Sequence, residues 1–523
     1  MRAMKNMNFT GIDLLFFFSL ALCIPISSSA QGVAAITTPN GYYEKMISNP
    51  EFVENARGEN FCWHARVGMD EFIDNFRLTN NSEWLDAAVK YYDFLIGKMD
   101  KDPDGYKGWI GPYQYDGEYW QDALVGDAIL IAEILNFCIL TEGNDSLKSK
   151  YKDKISLYVK TAKKDFVEKW DKRGCWYEDA PYGSYIGFNK FLKSGNLNEW
   201  INDPTVDRAG ISHPFNKQMD AGQVCLRLFK ITGDKVYRDR AEKIFFTAKS
   251  HFQYFDNHYC WNYFDPLTPG DVDLEKRNSR HFVDVHPWRS GYQASEVEKI
   301  VEAYHYGIVF DEQDIKRIIN TNLEVMWNKD KVNPKFINSN GLGADNDTTG
   351  IAAFKAAYGH STVFKNAGEL WTGLLDFDQT IRDLYELRLK EGKSAGRTLY
   401  ENTILKNPPG FKRKYSNDDV TIPVVKFTEC KALNLATVLP HTITKKEKSI
   451  IICKSRIPGL LQIDLYSSDG KVLNNLYKGK IGEEIFMITW DGKDQSGKKV
   501  YKGNYTIRWT IANGYREFPI IIK

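Results

Sequence analysis

The sequence predicts a multidomain chain: an all-α (α/α) toroid or barrel, followed by a small all-β sandwich. Three observations predict it. From about position 52 to 405, apolar residues recur at helical spacing. After about Val420 the pattern changes to alternation, as in strands with one buried face. Between the two lies Asn407-Pro408-Pro409-Gly410, which stops a helix, and then the polar run Lys412-Arg413-Lys414. A chain of 523 residues is also too long for one ordinary hydrophobic core.

The first 30 residues read as a secretory signal peptide. Arg2 and Lys5 precede an apolar run from Leu14 to Ile26, and Ser28-Ser29-Ala30 supplies small residues for cleavage after Ala30. The expected location is secreted or periplasmic. Leu22 before Cys23 makes a poor lipobox, which argues against a lipid anchor. The run is short for a membrane span, and no later segment is expected to cross one. Cys23 lies in this segment; the other cysteines are scattered with no Cys-x-x-Cys pair, so a zinc site is not expected and a disulfide pairing stays open.

Residues 31–405 form the predicted helical domain. Trp84, Ala87, Ala88, Tyr91, Tyr92 and Leu95 share one helix face, as do Tyr237, Ala241, Ile244, Phe245 and Ala248. Both helices open alike. Thr79-Asn80-Asn81-Ser82-Glu83-Trp84 parallels Thr232-Gly233-Asp234-Lys235-Val236-Tyr237, and Thr141-Glu142-Gly143-Asn144-Asp145 is a third copy. Asn81 or Ser82, and Asp234, are candidate caps for orphan N–H groups. Such repeats imply helical hairpins packed side by side. Three Gly- and aromatic-rich segments lie between helices: Gly105–Tyr113, Trp176–Gly183 and Asn257–Pro266. Read as loops, they suit the rim of a toroid that carries a substrate cleft, which an open solenoid would not need.

Residues 406–425 are the expected linker, and 426–523 the sandwich. Ile450, Ile452, Leu461, Ile463, Leu465 and Tyr466 suggest strands, and Asp469-Gly470 a hairpin turn. Trp490-Asp491-Gly492-Lys493-Asp494-Gln495-Ser496-Gly497-Lys498, then Val500 and Gly503-Asn504-Tyr505, resembles the immunoglobulin-like module appended to many secreted bacterial enzymes. The resemblance implies an accessory β-sandwich with no catalytic role. Pro519-Ile520-Ile521-Ile522-Lys523 is similar to the end of a Bacteroidetes C-terminal sorting domain.

Composition narrows the function. The formal net charge is +1, so no basic excess draws nucleic acid to the chain. The 13 Trp and 29 Tyr must mostly fill cores, but their ring faces also suit pyranose stacking.

The richest stretch is His281-Phe282-Val283-Asp284-Val285-His286-Pro287-Trp288-Arg289-Ser290-Gly291-Tyr292, before a helix expected from about Ser295 with Val297, Ile300, Val301, Tyr304 and Ile308 on one face. Trp261-Asn262-Tyr263-Phe264-Asp265 lies upstream. A second cluster, Ser212-His213-Pro214-Phe215-Asn216-Lys217-Gln218, opens a helix, and Asn and His there suit a carboxylate ligand. Asn216 reads equally as a cap, and Arg289 equally as a structural partner of Asp284. His251, His258, His305, His360 and His441 read as structural.

The layout resembles the α/α-toroid polysaccharide lyases that act on uronates, glucuronan and alginate lyases among them. The residues matching that pattern are Trp261, Tyr263, Asp284, His286 and Tyr292, although Val283-Asp284-Val285-His286 departs from the commoner acidic–acidic–x–Ser–His form. The resemblance implies β-elimination on a uronate-containing polysaccharide or oligosaccharide, for example ulvan or glucuronan, as a lyase or as a dehydratase of a terminal uronate. Elimination needs polar groups to neutralise the carboxylate and an acid–base set for the C5 proton and the C4 oxygen. Tyr292, His286 and His213 are the candidate catalytic residues. Asn216, Arg289, Trp261, Tyr263 and His281 are the candidate substrate ligands. No cofactor or metal is expected; Asp102-Pro103-Asp104-Gly105 has too few further oxygen ligands for calcium and reads as a turn.

Two rival readings stand. Asp116, Glu118, Asp122 and Asp127 offer carboxylates for an inverting glycoside hydrolase, with Asp122 and Asp127 as the pair, or are N-terminal helix acids. A non-catalytic glycan-binding protein built from helical repeats is the other; it would retain an oligosaccharide unchanged.

Overall fold

A computed structural model describes residues 38–48, 57–113, 116–206, 209–280, 290–337, 339, 368–390, 405–415, 422–444 and 446–523. The expected signal peptide and the calls on His281, Asp284, His286, Arg289 and His360 lie outside the described residues.

The helical part has two layers. Gly58–Arg66, Leu124–Glu142, Phe215–Thr232 and Ser290–His305 pack side by side in chain order as an inner row. A helix of the outer layer follows each, in the first case after the intervening Met69–Thr79: Glu83–Gly97, Asp145–Thr161, Lys235–Ser250 and Glu312–Asn320. This is the α/α layering expected of stacked helical hairpins. The face of Glu83–Gly97 read from the sequence is buried, from Trp84 through Leu95. Asp234 caps as expected, accepting from Val236 N, and Asn144 accepts from Leu147 N in the third copy of the turn. Ser82 makes no such bond; Asn81 instead accepts from Glu83 N at 3.0 Å.

A buried chain of charges ties the inner row together. Glu133 accepts from Arg66 at 3.1 Å and sits 3.4 Å from Arg227, which grips Glu302 through two bonds of 2.9 Å. Lys299 meets Asp220 at 2.8 Å. Arg66 and Arg227 outweigh the burial of Glu133 and hold its carboxyl down at about 2.

The segments read as rim loops are β-structure. Ile110–Tyr113, Asp116–Asp122, Phe191–Lys193 and Asn196–Ile201 form one antiparallel sheet, Trp176–Asp179 pairs Tyr182–Tyr185, and Gln253–Phe255 pairs His258–Cys260. Most of these strands are short and pair as local hairpins; only the pairing of Asp116–Asp122 with Phe191–Lys193 is long-range.

Leu124–Glu142 corrects the expectation that no further segment could span a membrane. By length and composition it could, but 83% of its apolar window is buried inside the fold, as in a core helix. The cysteines of the described residues are buried and free, which closes the disulfide question for them.

The C-terminal part is a sandwich of a three-stranded and a five-stranded sheet. Leu433, Val438, Ile451, Leu461, Ile463, Ile507 and Trp509 fill the space between them. Gly470 makes the expected hairpin turn with φ +83°. In the Trp490–Lys498 signature, Trp490 Nε1 donates to Lys493 O at 2.8 Å and Asp494 accepts from Ser496 N and Lys498 N.

The sandwich docks tightly. Strand Leu433–Leu439 is buried throughout, because the outer face of its sheet, with Leu435, Leu439, Ile450 and Ile452, packs toward Val272 of the helical part. Gln253 Nε2 donates to Asn434 O at 2.7 Å, and Arg456 to Gln253 at 2.7 Å. The expected linker is likewise packed: Phe411 and Tyr415 join the helical core, and Tyr304 OH donates to Phe411 O.

Candidate active site

Three of the inner helices present their N-terminal ends to one cleft. Glu59 comes from the first turn of Gly58–Arg66, Leu124 and Val125 from that of Leu124–Glu142, and Pro214 and Lys217 from the start of Phe215–Thr232. Gln121 and Asp122 end a strand on its floor. Trp170, Phe188 and Phe264 supply aromatic walls, and His213 lies among them. First-turn N–H groups have no intrahelical acceptor, so helix starts give the cleft a positive bias.

Local sequence explains the placement. A Cβ on Gly111 would stand 2.3 Å from Gly58 N, so the strand can lie against the helix start that carries Glu59 only with glycine there. His213 is fixed through its backbone: its N–H donates to Tyr185 O at 3.2 Å, while Gln218 pairs with Tyr185 N and O at 2.8 and 2.7 Å. Before it, the buried Asp271 accepts from Ser212 N at 2.7 Å and Ser212 Oγ at 2.6 Å. Phe215 N donates to Tyr263 O at 3.1 Å, and the Tyr263 ring lies 5.2 Å from that of Tyr292. Tyr292 lies within helix Ser290–His305, which starts five residues before the expected Ser295.

His213, Asn216, Tyr263 and Tyr292 thus gather at one end of two neighbouring inner helices. Asn216 is not the cap expected as one alternative: Pro214 holds that position, and Asn216 is buried with no hydrogen-bond partner at Oδ1 among the described residues. Trp261 does not fit its expected role as a sugar ligand. It is 1% exposed, its ring stacks on Phe252 at 4.6 Å, and Trp371 lies 5.9 Å away. Its Nε1 donates to Glu296 at 2.6 Å. Burial pushes the Glu296 carboxyl up to about 8, so it carries a proton at neutral pH.

The Asp122–Asp127 pair of the hydrolase reading is also corrected. Asp127 is 0% exposed, does not line the cleft, and is held by Lys169 at 2.6 Å and Trp170 Nε1 at 3.0 Å. Asp122 reaches the cleft floor but is clamped by Lys169 at 2.5 Å and Arg173 at 2.9 Å. Arg173 also takes Asp102 at 2.5 Å and Asp104 at 2.8 Å, with its guanidinium against Trp170, Phe188 and Trp200. Four carboxylates therefore share two cations. Burial opposes the charge of Asp122, but both cations favour it and hold its carboxyl below the usual range. Burial and the charge of Asp122 push Asp127 well up, and Asp102 up to about 7. The cluster closes one wall of the cleft.

Sequence reasoning missed Glu59 and Lys217, which meet at 2.9 Å in the cleft; Glu59 also accepts from Trp63 Nε1 at 3.2 Å. Lys217 stands beside Asn216 in a cluster the sequence does flag, but its partner lies 158 residues away. Among the described residues no group of His, Cys, Asp and Glu has the arrangement of a metal site.

No family model matches this chain, and no curated protein matches it. Among solved structures, a family 76 glycoside hydrolase from a bovine Bacteroides thetaiotaomicron strain is similar at 14% identity, covering 47% of this chain and 42% of its own, with a TM-score of 0.29. A family 76 mannosidase from Bacteroides thetaiotaomicron VPI-5482 is similar at 16% identity over 47% of this chain and 53% of its own, TM-score 0.27. D-mannose isomerase is similar at 14% identity over 72% of this chain and 87% of its own, TM-score 0.32. The chain spans about half the length of the first two. Likenesses this distant assign no activity to it.

Proposed function

We propose that this chain is a carbohydrate-active enzyme that acts on uronate-containing glycans by β-elimination. The observation that carries the reading is the grouping of His213 and Lys217 in one cleft at the start of helix Phe215–Thr232, with Tyr292 at the start of the inner helix packed beside it. A uronate bound there with its carboxylate toward the cation has a C5–H acidified by that contact. A base takes the C5 proton, the C–H electron pair forms the C4=C5 bond, and the C4–O bond breaks. An acid then protonates the departing oxygen. His213 and Tyr292 are the residue types for these two roles. Expulsion of a sugar makes the enzyme a lyase; expulsion of the 4-hydroxyl as water from a terminal uronate makes it a dehydratase.

The test is ultraviolet absorbance of the conjugated 4,5-unsaturated product on glucuronan, alginate, ulvan and pectin oligosaccharides, with mass spectrometry of the products. Loss of one water at constant chain length assigns the dehydratase, and two shorter fragments with absorbance the lyase. New reducing ends without absorbance assign hydrolysis, with Glu59 and Asp122 as the carboxylates of the cleft. Retention of every glycan unchanged assigns a binding protein.

A further inference from the structure

We propose that the Glu59–Lys217 ion pair is a charge-reading subsite: Lys217 receives the carboxylate of an acidic sugar, and Glu59 holds the ammonium in place until it does. This deepens the reading of the cleft as a uronate site and rests on it for the class of ligand.

The position of Lys217 is the first ground. It occupies the third residue of helix Phe215–Thr232, where the helix dipole disfavours a cation and where acidic residues are the usual choice. A lysine there needs an anion that outweighs the dipole. Glu59, supplied by the first turn of another helix, is such an anion at 2.9 Å.

Isolation is the second ground. Among the described residues that line the cleft, Lys217 is the sole lysine or arginine. The nearby Lys169 and Arg173 are buried and already bound to Asp122, Asp127, Asp102 and Asp104. Lys217 keeps 10% of its side chain exposed and Glu59 14%, so an incoming carboxylate can reach the pair from the cleft.

Exchange is the third. A substrate carboxylate on Lys217 replaces one charge-assisted hydrogen bond by another of the same type. Glu59 retains its bond from Trp63 Nε1, so it is not left bare when Lys217 turns away. His213 lines the same cleft.

The experiment is calorimetric titration of the full chain with glucuronan and polymannuronate tetrasaccharides and with their carboxyl-reduced, neutral forms. The parent is expected to bind at least one acidic form about tenfold more tightly than its neutral form, the size of one hydrogen bond to a charged group. Added salt should weaken acidic binding and leave neutral binding unchanged. The double variant Glu59→Gln/Lys217→Gln, which leaves no lone charge behind, should lose the acidic preference and keep neutral binding. Glu59→Gln alone should bind the acidic form as tightly as the parent or a few-fold tighter, because an internal competitor is gone. A parent without acidic preference or salt dependence overturns the proposal, whether or not the double variant folds. So does a folded double variant that keeps the preference, or a Glu59→Gln variant that loses it. Charge-selective binding without unsaturated product would refute elimination and leave this subsite standing; unsaturated product from a double variant with intact acidic preference would refute the subsite alone.

Discussion

Tyr182 lies flat against His441, ring centroids 3.8 Å apart and planes 17° apart, joining a strand of the helical part to the sandwich. Burial pulls the His441 imidazole down to about 3, so it stays neutral in this stack. Asp179 accepts from the backbone N–H groups of His441 and Thr442, and Arg516 donates to Ser250 O and Phe252 O.

This interface predicts the fate of a shortened chain. An accessory module on a loose linker could be removed at Lys406 without harm. Here removal uncovers Tyr182, Phe252 and Val272 and leaves the buried Asp179 without its donors. A fragment of residues 31–406 should aggregate or melt about 10 °C below the full chain, a loss of a few kcal/mol. Scanning calorimetry checks this; equal melting temperatures would show that the docking contributes nothing.

Lys169 gives a second prediction. Its ammonium is fully buried between Asp122 and Asp127. Lys169→Met preserves much of the volume but leaves Asp122 with Arg173 alone. Removing one partner of a buried pair typically destabilises by about 3–5 kcal/mol. Urea denaturation should show a loss of that order. Lys169→Met/Asp122→Asn should recover part of it, since the stranded charge is then gone.

The sequence reveals the helical part, its repeated turns and the sandwich, because those rest on local patterns. The face from Trp84 to Leu95 and the cap at Asp234 can be read within one element. The short strands cannot. Trp120 pairs with Leu192 across 72 positions of chain, a pairing that only the tertiary fold makes. In the site, His213 is legible because histidine is scarce and stands at a helix start. Glu59 and Lys217 are ordinary residue types whose meaning lies in their meeting. Trp261 misleads because an aromatic before a polar loop looks the same whether its ring is open or covered.

A third prediction concerns pH. Burial raises Glu296 to about 8 and, with the charge of Asp122, Asp102 to about 7. A raised carboxyl binds its proton more tightly folded than unfolded. Its contribution is complete below the unfolded value of about 4 and is lost as pH rises toward 7 and 8. Glu133 and Asp376, both lowered to about 2, act in the opposite sense, and their contribution is lost in acid. Stability should therefore peak near pH 4 and decline toward pH 8. Glu296→Gln keeps an acceptor for Trp261 Nε1 but has no proton to lose. It should reduce the decline by about 1.4 kcal/mol for each unit of the shift it removes. Denaturant melts at pH 5 and pH 8 compare the two chains; an identical decline in both would refute the role of Glu296.

The last prediction concerns Tyr292. It opens helix Ser290–His305, and its ring rests near Tyr263, whose backbone oxygen receives Phe215 N at the start of the helix that follows His213. Tyr263 therefore links the starts of the two helices, one bearing Tyr292 and the other following His213. Tyr292→Phe removes the hydroxyl and keeps the ring against Tyr263, so the helix start should persist and the melting temperature should hardly change. If the phenol transfers the C5 proton or protonates the C4 oxygen, turnover on the best uronate oligosaccharide should fall by about 10²–10⁴-fold, the usual contribution of one acid–base group. KM should change little, because the carboxylate contact is elsewhere. His213→Gln should fall by a similar factor if the two residues divide the proton transfers. Near-normal turnover in a folded Tyr292→Phe chain would remove Tyr292 from the chemistry, and a loss confined to His213→Gln would leave His213 to move the proton from C5.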